Sequence, residues 1–330
     1  MELSGKKIPI STFRELGLLL FIGIASGIIQ GRNHEFLTFA NINNLLTNTA
    51  LLSILSVGMM MVLLTGGIDL SIGATIAFAG MVSALTVRDN PGIPPVVLVL
   101  EGTLIGALLG TIIGILVARF SILPIIASLG LMNVIRGLTY MVSGGKWVSA
   151  HQMPPAFKAL ATGKILGINN LIVLAVLVYG VFYCFLTFTR TGRRIYAIGS
   201  NPEAAEIIGL PRRRITALVY VLMGALAGLA GVLWVAKFAS AQGDTASGYE
   251  MNVIASCVLG GVSVSGGRGN ISGLILGVIL FGILANALPL IQVSPFWQQA
   301  IQGVVILAAI IINVLIKRNS DRSALRQRIL

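Results

Sequence analysis

About ten apolar stretches follow one another along this chain, near residues 15–31, 49–66, 68–87, 96–118, 122–142, 169–189, 215–238, 251–265, 270–290 and 297–316. A helix needs about 20 mainly apolar residues to cross a bilayer, and it satisfies its own backbone polar groups while doing so. The expected fold is therefore all-α and polytopic, one transmembrane domain over residues 1–330. The eighth stretch is short for an untilted span. Only 10% of the residues are charged, against about 25% in soluble domains, so no sizeable soluble domain fits between the spans. The first stretch has no small-residue cleavage site after it and reads as a retained span. The segment at 33–50, NHEFLTFANINNLLTNTA, is polar on one side and apolar on the other; it either lies along the membrane surface or begins the second span.

The net charge of +12 does not point to nucleic acid, because the basic residues flank apolar stretches in the manner of cytoplasmic loops. Lys6, Lys7 and Arg14 precede the first span, six arginines lie between 190 and 214, and Lys317, Arg318, Arg322, Arg326 and Arg328 follow the tenth. An even number of crossings separates these groups. Both termini, the loop at 190–214 and the tail at 317–330 are thus expected in the cytoplasm. The segment at 143–169 falls outside despite Lys146, Lys158 and Lys164, as does the loop with Asp244 and Glu250. Cys184 and Cys257 both sit in apolar runs and read as packing residues, with no disulfide framework or metal site.

The loop at 190–214 carries a short helix signal of its own. Asn201 suits the N-cap, Pro202 the first helical position, Glu203 the positive end of the dipole and Gly209 the C-terminal stop. Many of the 39 glycines lie inside spans, as in GALLGTIIG from Gly106 and GALAGLAG from Gly224, where small residues let helices approach closely. Residues 104–120 and 222–238 align without gaps and suggest an internal duplication. The echo of GGIDLS from Gly66 in GGVSVS from Gly260 has a different offset.

At GGIDLSIG from Gly66, GSNPEAAEIIGL from Gly199 and VLGGVSVSGGRGNISG from Val258, the chain resembles permease subunits of bacterial ATP-binding-cassette importers for simple sugars, in the ribose-type branch. GGKW from Gly144 is also found in autoinducer-2-like members. The resemblance implies a type II importer-like permease in the inner membrane, paired with a second copy or a paralogue. It also implies an extracytoplasmic substrate-binding protein and two cytoplasmic ATPase subunits. ATP and Mg would be bound by those subunits, this chain holding no cofactor and no catalytic group. The cargo would be a monosaccharide or similar small polyol, moved by alternating access. A short permease helix that sits in a cleft of the ATPase would match Asn201, Pro202, Glu203, Ala204, Ala205, Ile207, Ile208 and Gly209.

Candidate pathway residues are Asp69, Asn133, Arg136, Asn252, Asn286 and Gln299, polar groups within or beside apolar stretches. Asp69 has two readings, a cap for the third span or a contact for a sugar hydroxyl. Arg136, one turn after Asn133, either faces a polar pathway or pairs structurally. Lys237 and Arg119 sit at span ends and are expected to snorkel, Glu101 lies near an interface, and Pro124 and Pro289 are placed to kink helices. Trp147 and His151 lie in the outer segment as an interfacial anchor or a docking point. Met59, Met60 and Met61 suit either span packing or a moving interface. The rival reading is an ion-coupled secondary transporter, which needs ionisable intramembrane sites; Asp69 is the single well-placed carboxylate. An enzyme is disfavoured by the lack of paired carboxylates, a nucleophile with its base or a metal-ligand cluster.

Overall fold

From Ala50 onward helix α2 (Phe39–Leu64) is apolar on every side apart from Ser53 and Ser56, and such a stretch has to be wrapped by other helices. In the computed structural model, which describes residues 10–294, 296–304, 307 and 311, its second half from Ala50 to Leu64 is buried except at Ser53. Around it stand α7 (Asn170–Phe188), α10 (Arg212–Phe238), α11 (Tyr249–Leu259) and α12 (Ile271–Leu290). Helices α3 (Ile72–Asp89) and α4 (Pro95–Ala118) pack beside α10, α5 (Pro124–Ser143) packs on α3 and α4, and α1 (Ile10–Arg32) lies against α12. Eight of these, all but α11, are long and apolar enough to cross a membrane. Residues 296–304 are helical too; much of the expected tenth span and the whole tail at 317–330 lie outside the described residues.

The 33–50 segment resolves in favour of the span, since α2 starts at Phe39 with Thr38 as its cap. Met59, Met60 and Met61 are all fully buried, which is core packing. Pro124 is not a kink: it occupies the first helical position of α5, where its missing N–H costs nothing. Pro289 lies in the last turn of α12.

The two look-alike glycine segments are partners. Helices α4 and α10 run antiparallel with Gly102 on Gly228, Gly106 on Gly224 and Gly110 on Tyr220, so close that a β-carbon at Gly106 would sit 2.7 Å from the Gly228 nitrogen. Small residues at four-residue spacing on both helices permit that approach. Gly80 of α3 meets the Gly231 carbonyl oxygen on another side of α10. Lys237 does not simply snorkel; its Nζ donates to the Thr47 carbonyl on α2 at 3.3 Å and lies 5.1 Å from the Phe238 ring centroid. Glu101 ties α4 to α3 by accepting from Thr86 Oγ1 at 2.8 Å.

The eighth stretch is a broken crossing. After α10 ends, residues 239–248 run without helix, and α11 then supplies 11 residues, a rise of about 16 Å. Non-helical backbone survives inside a membrane protein only where its polar groups are satisfied. Arg136 of α5 does this, donating through Nη1 to the Gly243 carbonyl at 2.8 Å and the Thr245 carbonyl at 2.9 Å. Glu250, expected in an outer loop, is instead buried in the first turn of α11 against Gly73 of α3.

At one end of the bundle, between α5 and α7, lie a 3₁₀ turn (Ala150–Gln152), α6 (Pro155–Thr162) and a hairpin of β1 (Lys164–Ile165) with β2 (Ile168–Asn169). Val148 in this cap forms an antiparallel bridge with Ala241 at the start of the broken crossing. At the other end lie α8 (Arg190–Ser200) and α9 (Pro202–Ile207).

Candidate functional site

Three segments that are far apart in the chain touch backbone to backbone at the α9 end. A β-carbon at Gly199, in the last turn of α8, would collide with the Leu64 carbonyl oxygen and lie 2.6 Å from the Gly267 nitrogen. Gly267 in turn donates to that same Leu64 oxygen at 2.9 Å. A β-carbon at Gly266 would stand 2.8 Å from the Gly199 oxygen and 3.2 Å from the Gly66 nitrogen. Gly66, Gly266 and Gly267 have φ of 78°, 88° and 69°, a region that glycine enters freely. The segments at 66, 199 and 258 that carry the sequence resemblance thus converge on one junction at the end of α2.

Helix α8 leads into this junction and was not foreseen as a helix. Its signals were present: Thr189 accepts from the Gly192 N–H at 3.0 Å, and Gly192, Ile195, Ile198 and Gly199 form one buried face. Burial also raises the Tyr196 phenol above its ordinary range.

Helix α9 carries the local features read from the sequence. Asn201 Oδ1 accepts from Ala204 N–H at 2.9 Å, Pro202 opens the helix and Glu203 lies in its first turn. Gly209 ends it at φ 77°, with its N–H on the Glu206 carbonyl at 3.0 Å and Leu210 N–H on Ala205 at 2.9 Å. Ala205, one of the residues expected on this helix, is 3% exposed and anchors α9 to the bundle. Glu203 and Ala204 face out, and Ile207 and Ile208 are 85% and 71% exposed. Burying two such isoleucines against a partner would contribute about 1.5–3 kcal/mol each.

A second feature is a cavity of about 180 Å³ between α2, α11, α12 and the helix that begins at 296. Asn252 and Asn286 both line it, with Asn48, Gln302, Tyr249 and Phe281. Amides and aromatic rings supply donors, acceptors and a flat apolar face, and the lining contains no charged side chain. Asn286 is held by reciprocal hydrogen bonds with Asn41 at 3.1 and 3.2 Å. Gln302 lines the cavity although the sequence does not distinguish it from Gln299, one turn earlier and equally polar; Gln299 is exposed and does not line it.

The remaining candidates stand apart. Asn133 is exposed on α5 and donates to the Leu129 carbonyl of its own helix at 3.0 Å, so it does not share a polar cluster with Arg136. Arg136 is committed to the broken crossing. Asp69 is buried in the turn before α3 and accepts from Ser71 N–H at 2.9 Å and Ser71 Oγ at 2.7 Å. The N-cap of α3 is Ser71, so Asp69 does not cap the helix itself; its bonds to Ser71 brace the turn that leads into it.

Residues 41–310 match the family described as the permease component of the branched-chain amino acid transport system, a range that holds the junction, α9 and the polar cavity. The chain belongs to this permease family. Among curated relatives, the family member it resembles at 39% identity over 300 residues is the ribose import permease protein RbsC of Bacillus subtilis, with 91% of this chain and 92% of the relative covered. RbsC of Escherichia coli K12 is 36% identical, over 90% of this chain and 92% of its own length. The L-arabinose ABC transporter permease protein AraH of Azospirillum brasilense is also 36% identical, over 88% and 84%. No solved structure matches the chain.

Proposed function

We propose that the chain is the transmembrane subunit of an ATP-driven importer in the bacterial inner membrane, carrying a monosaccharide or similar small polyol by alternating access. Helix α9 is the element through which partner ATPases act. The observation that carries this reading is the α9 geometry: a capped helix with two outward isoleucines, whose base is joined by backbone contact to the end of α2 and to the turns at 66 and 266. A push on α9 reaches the spans through the backbone contacts at Gly199.

The cargo reading rests on two supports. The relatives are named for ribose and L-arabinose, whereas the family description names branched-chain amino acids. An amino acid brings a carboxylate and an ammonium that a membrane site must pair, and the cavity of Asn48, Asn252, Asn286 and Gln302 has no charge to offer. Neutral hydroxyls suit it. The six arginines around α8 and α9 support a cytoplasmic position for that end, and the basic residues near both termini support the same side for them. ATP and Mg then belong to the two ATPase subunits, a second permease copy or paralogue completes the pathway, and the cap at 143–169 faces the substrate-binding protein.

The test is transport by the reconstituted importer with Glu203→Lys or Gly209→Val. Both variants should insert and assemble but hydrolyse ATP without matching uptake; normal uptake and normal ATPase stimulation in both would remove α9 from its role. Uptake that survives inactivation of the ATPase and collapses with the ion gradient would instead identify a secondary transporter.

A further inference from the structure

Beside the junction lies a larger cavity, about 500 Å³, which shares no residue with the amide-lined one. The turn at Gly66 and Gly67, the α4–α5 connection, Glu206 of α9 and the first turns of α10 enclose it. Along α10, Arg213, Thr216 and Tyr220 all line it. Their spacing of three and four residues puts them on one helix face, over a rise of about 10 Å. At the inner end, Tyr220 is 0% exposed and its hydroxyl has no hydrogen-bond partner. A buried phenol without a partner costs free energy unless something supplies an acceptor or donor. At the mouth stand Arg212 and Arg213, both exposed, with no carboxylate at ion-pair distance among the described residues. The 27-residue α10 begins there with no acidic residue in its first turn and no side-chain cap, so its positive end is open. Glu206 lines the same mouth and opposes an anion, but two guanidinium groups outweigh one carboxylate.

We propose that this cavity is a cytoplasm-facing regulatory site for a small phosphorylated sugar, with the phosphate on Arg212 and Arg213 and the sugar hydroxyls on Thr216 and Tyr220. The cation at the mouth and the hydroxyl groups further in, about 10 Å apart along the helix, match a sugar phosphate end to end. Inorganic phosphate would reach the arginines alone. An occupant lies between the Gly66 turn and the α9–α10 connection, so it fixes the spacing across which motion from α9 reaches α2. A sugar that is phosphorylated after entry would thereby slow its own import. The identity of the sugar and the facing of the site rest on the importer reading; the binding itself does not.

The experiment uses the whole importer in nanodiscs of neutral lipid, titrated calorimetrically with ribose 5-phosphate, with inorganic phosphate and with vesicles containing phosphatidylglycerol. Ribose 5-phosphate should bind saturably and more tightly than inorganic phosphate. Loss of one charge-assisted hydrogen bond in Arg213→Gln should weaken it about 10- to 100-fold, and loss of a neutral one in Tyr220→Phe about 2- to 10-fold. Inside proteoliposomes it should slow ATP-driven uptake by the wild type and not by Arg213→Gln, while both variants keep wild-type ATPase activity without it. No saturable binding, or binding unchanged in both variants, overturns the proposal. Inorganic phosphate binding as tightly reduces the site to a bare anion site, and competition by phosphatidylglycerol with no effect of the ester assigns it to a lipid headgroup. Binding that leaves uptake unchanged overturns the regulatory role. If the importer reading itself fails, wild-type ATP-driven uptake is absent whatever binds here.

Discussion

Replacing Gly199 by alanine tests whether the junction transmits force. Gly→Ala within a helix ordinarily stabilises by up to about 1 kcal/mol, because alanine has less backbone entropy to lose. Here the added methyl meets the Leu64 carbonyl and the Gly267 nitrogen, both backbone atoms that cannot swing aside. Overpacking of this kind costs about 1–3 kcal/mol, and displacing the 2.9 Å bond from Gly267 to Leu64 adds about 1 kcal/mol. The sum reverses the sign, giving a net loss of about 1–3 kcal/mol. Gly137→Ala on α5 is the control, since a β-carbon there meets nothing within 4 Å. The assay pairs thermal denaturation of the purified importer with ATP hydrolysed per sugar imported. Gly199→Ala should melt lower and consume more ATP per sugar, while Gly137→Ala should match or exceed the wild type in stability and leave coupling alone. A Gly199→Ala protein as stable and as well coupled as the wild type would refute the backbone junction as the route from α9 to α2.

Arg136→Met removes both donors to the Gly243 and Thr245 carbonyls; the expected cost of about 2–5 kcal/mol should appear as faster proteolysis within 239–248 and a lower melting temperature. Asn252→Leu should abolish most uptake with assembly intact, whereas Asn286→Leu should also lose about 1–3 kcal/mol by leaving the Asn41 side-chain oxygen without its donor; sugar uptake and thermal melting separate the two. Changing Lys146, Lys158 and Lys164 together to glutamate should weaken stimulation by the binding protein and flatten its salt dependence, because no acidic residue lies between Glu101 and Glu203 to balance them. Stimulation that keeps its salt dependence would place the docking surface elsewhere.

The spans and the α9 caps were legible in the chain because both are local. An apolar run of span length has no other stable place to go, and the Asn201–Pro202–Glu203 start with Gly209 as its stop needs no distant partner. Facing was not legible. Asn133 and Asn252 are equally polar residues in apolar surroundings, yet one bonds within its own helix and the other lines a cavity, a difference of helix rotation set by neighbours. The broken crossing was visible only as a stretch too short to span; that it is held by an arginine more than a hundred residues away depends on packing of α5 against it.

Order and type of element, then, follow from periodicity, caps and the cost of unsatisfied backbone in lipid, all properties of neighbouring residues. That Gly199 and Gly267 close on one carbonyl at the end of α2, with Gly66 and Gly266 packed beside them, follows from nothing local. A glycine without contacts and a glycine pressed against backbone are the same residue in a sequence. Only the packing of distant helices distinguishes a flexible turn from a rigid junction.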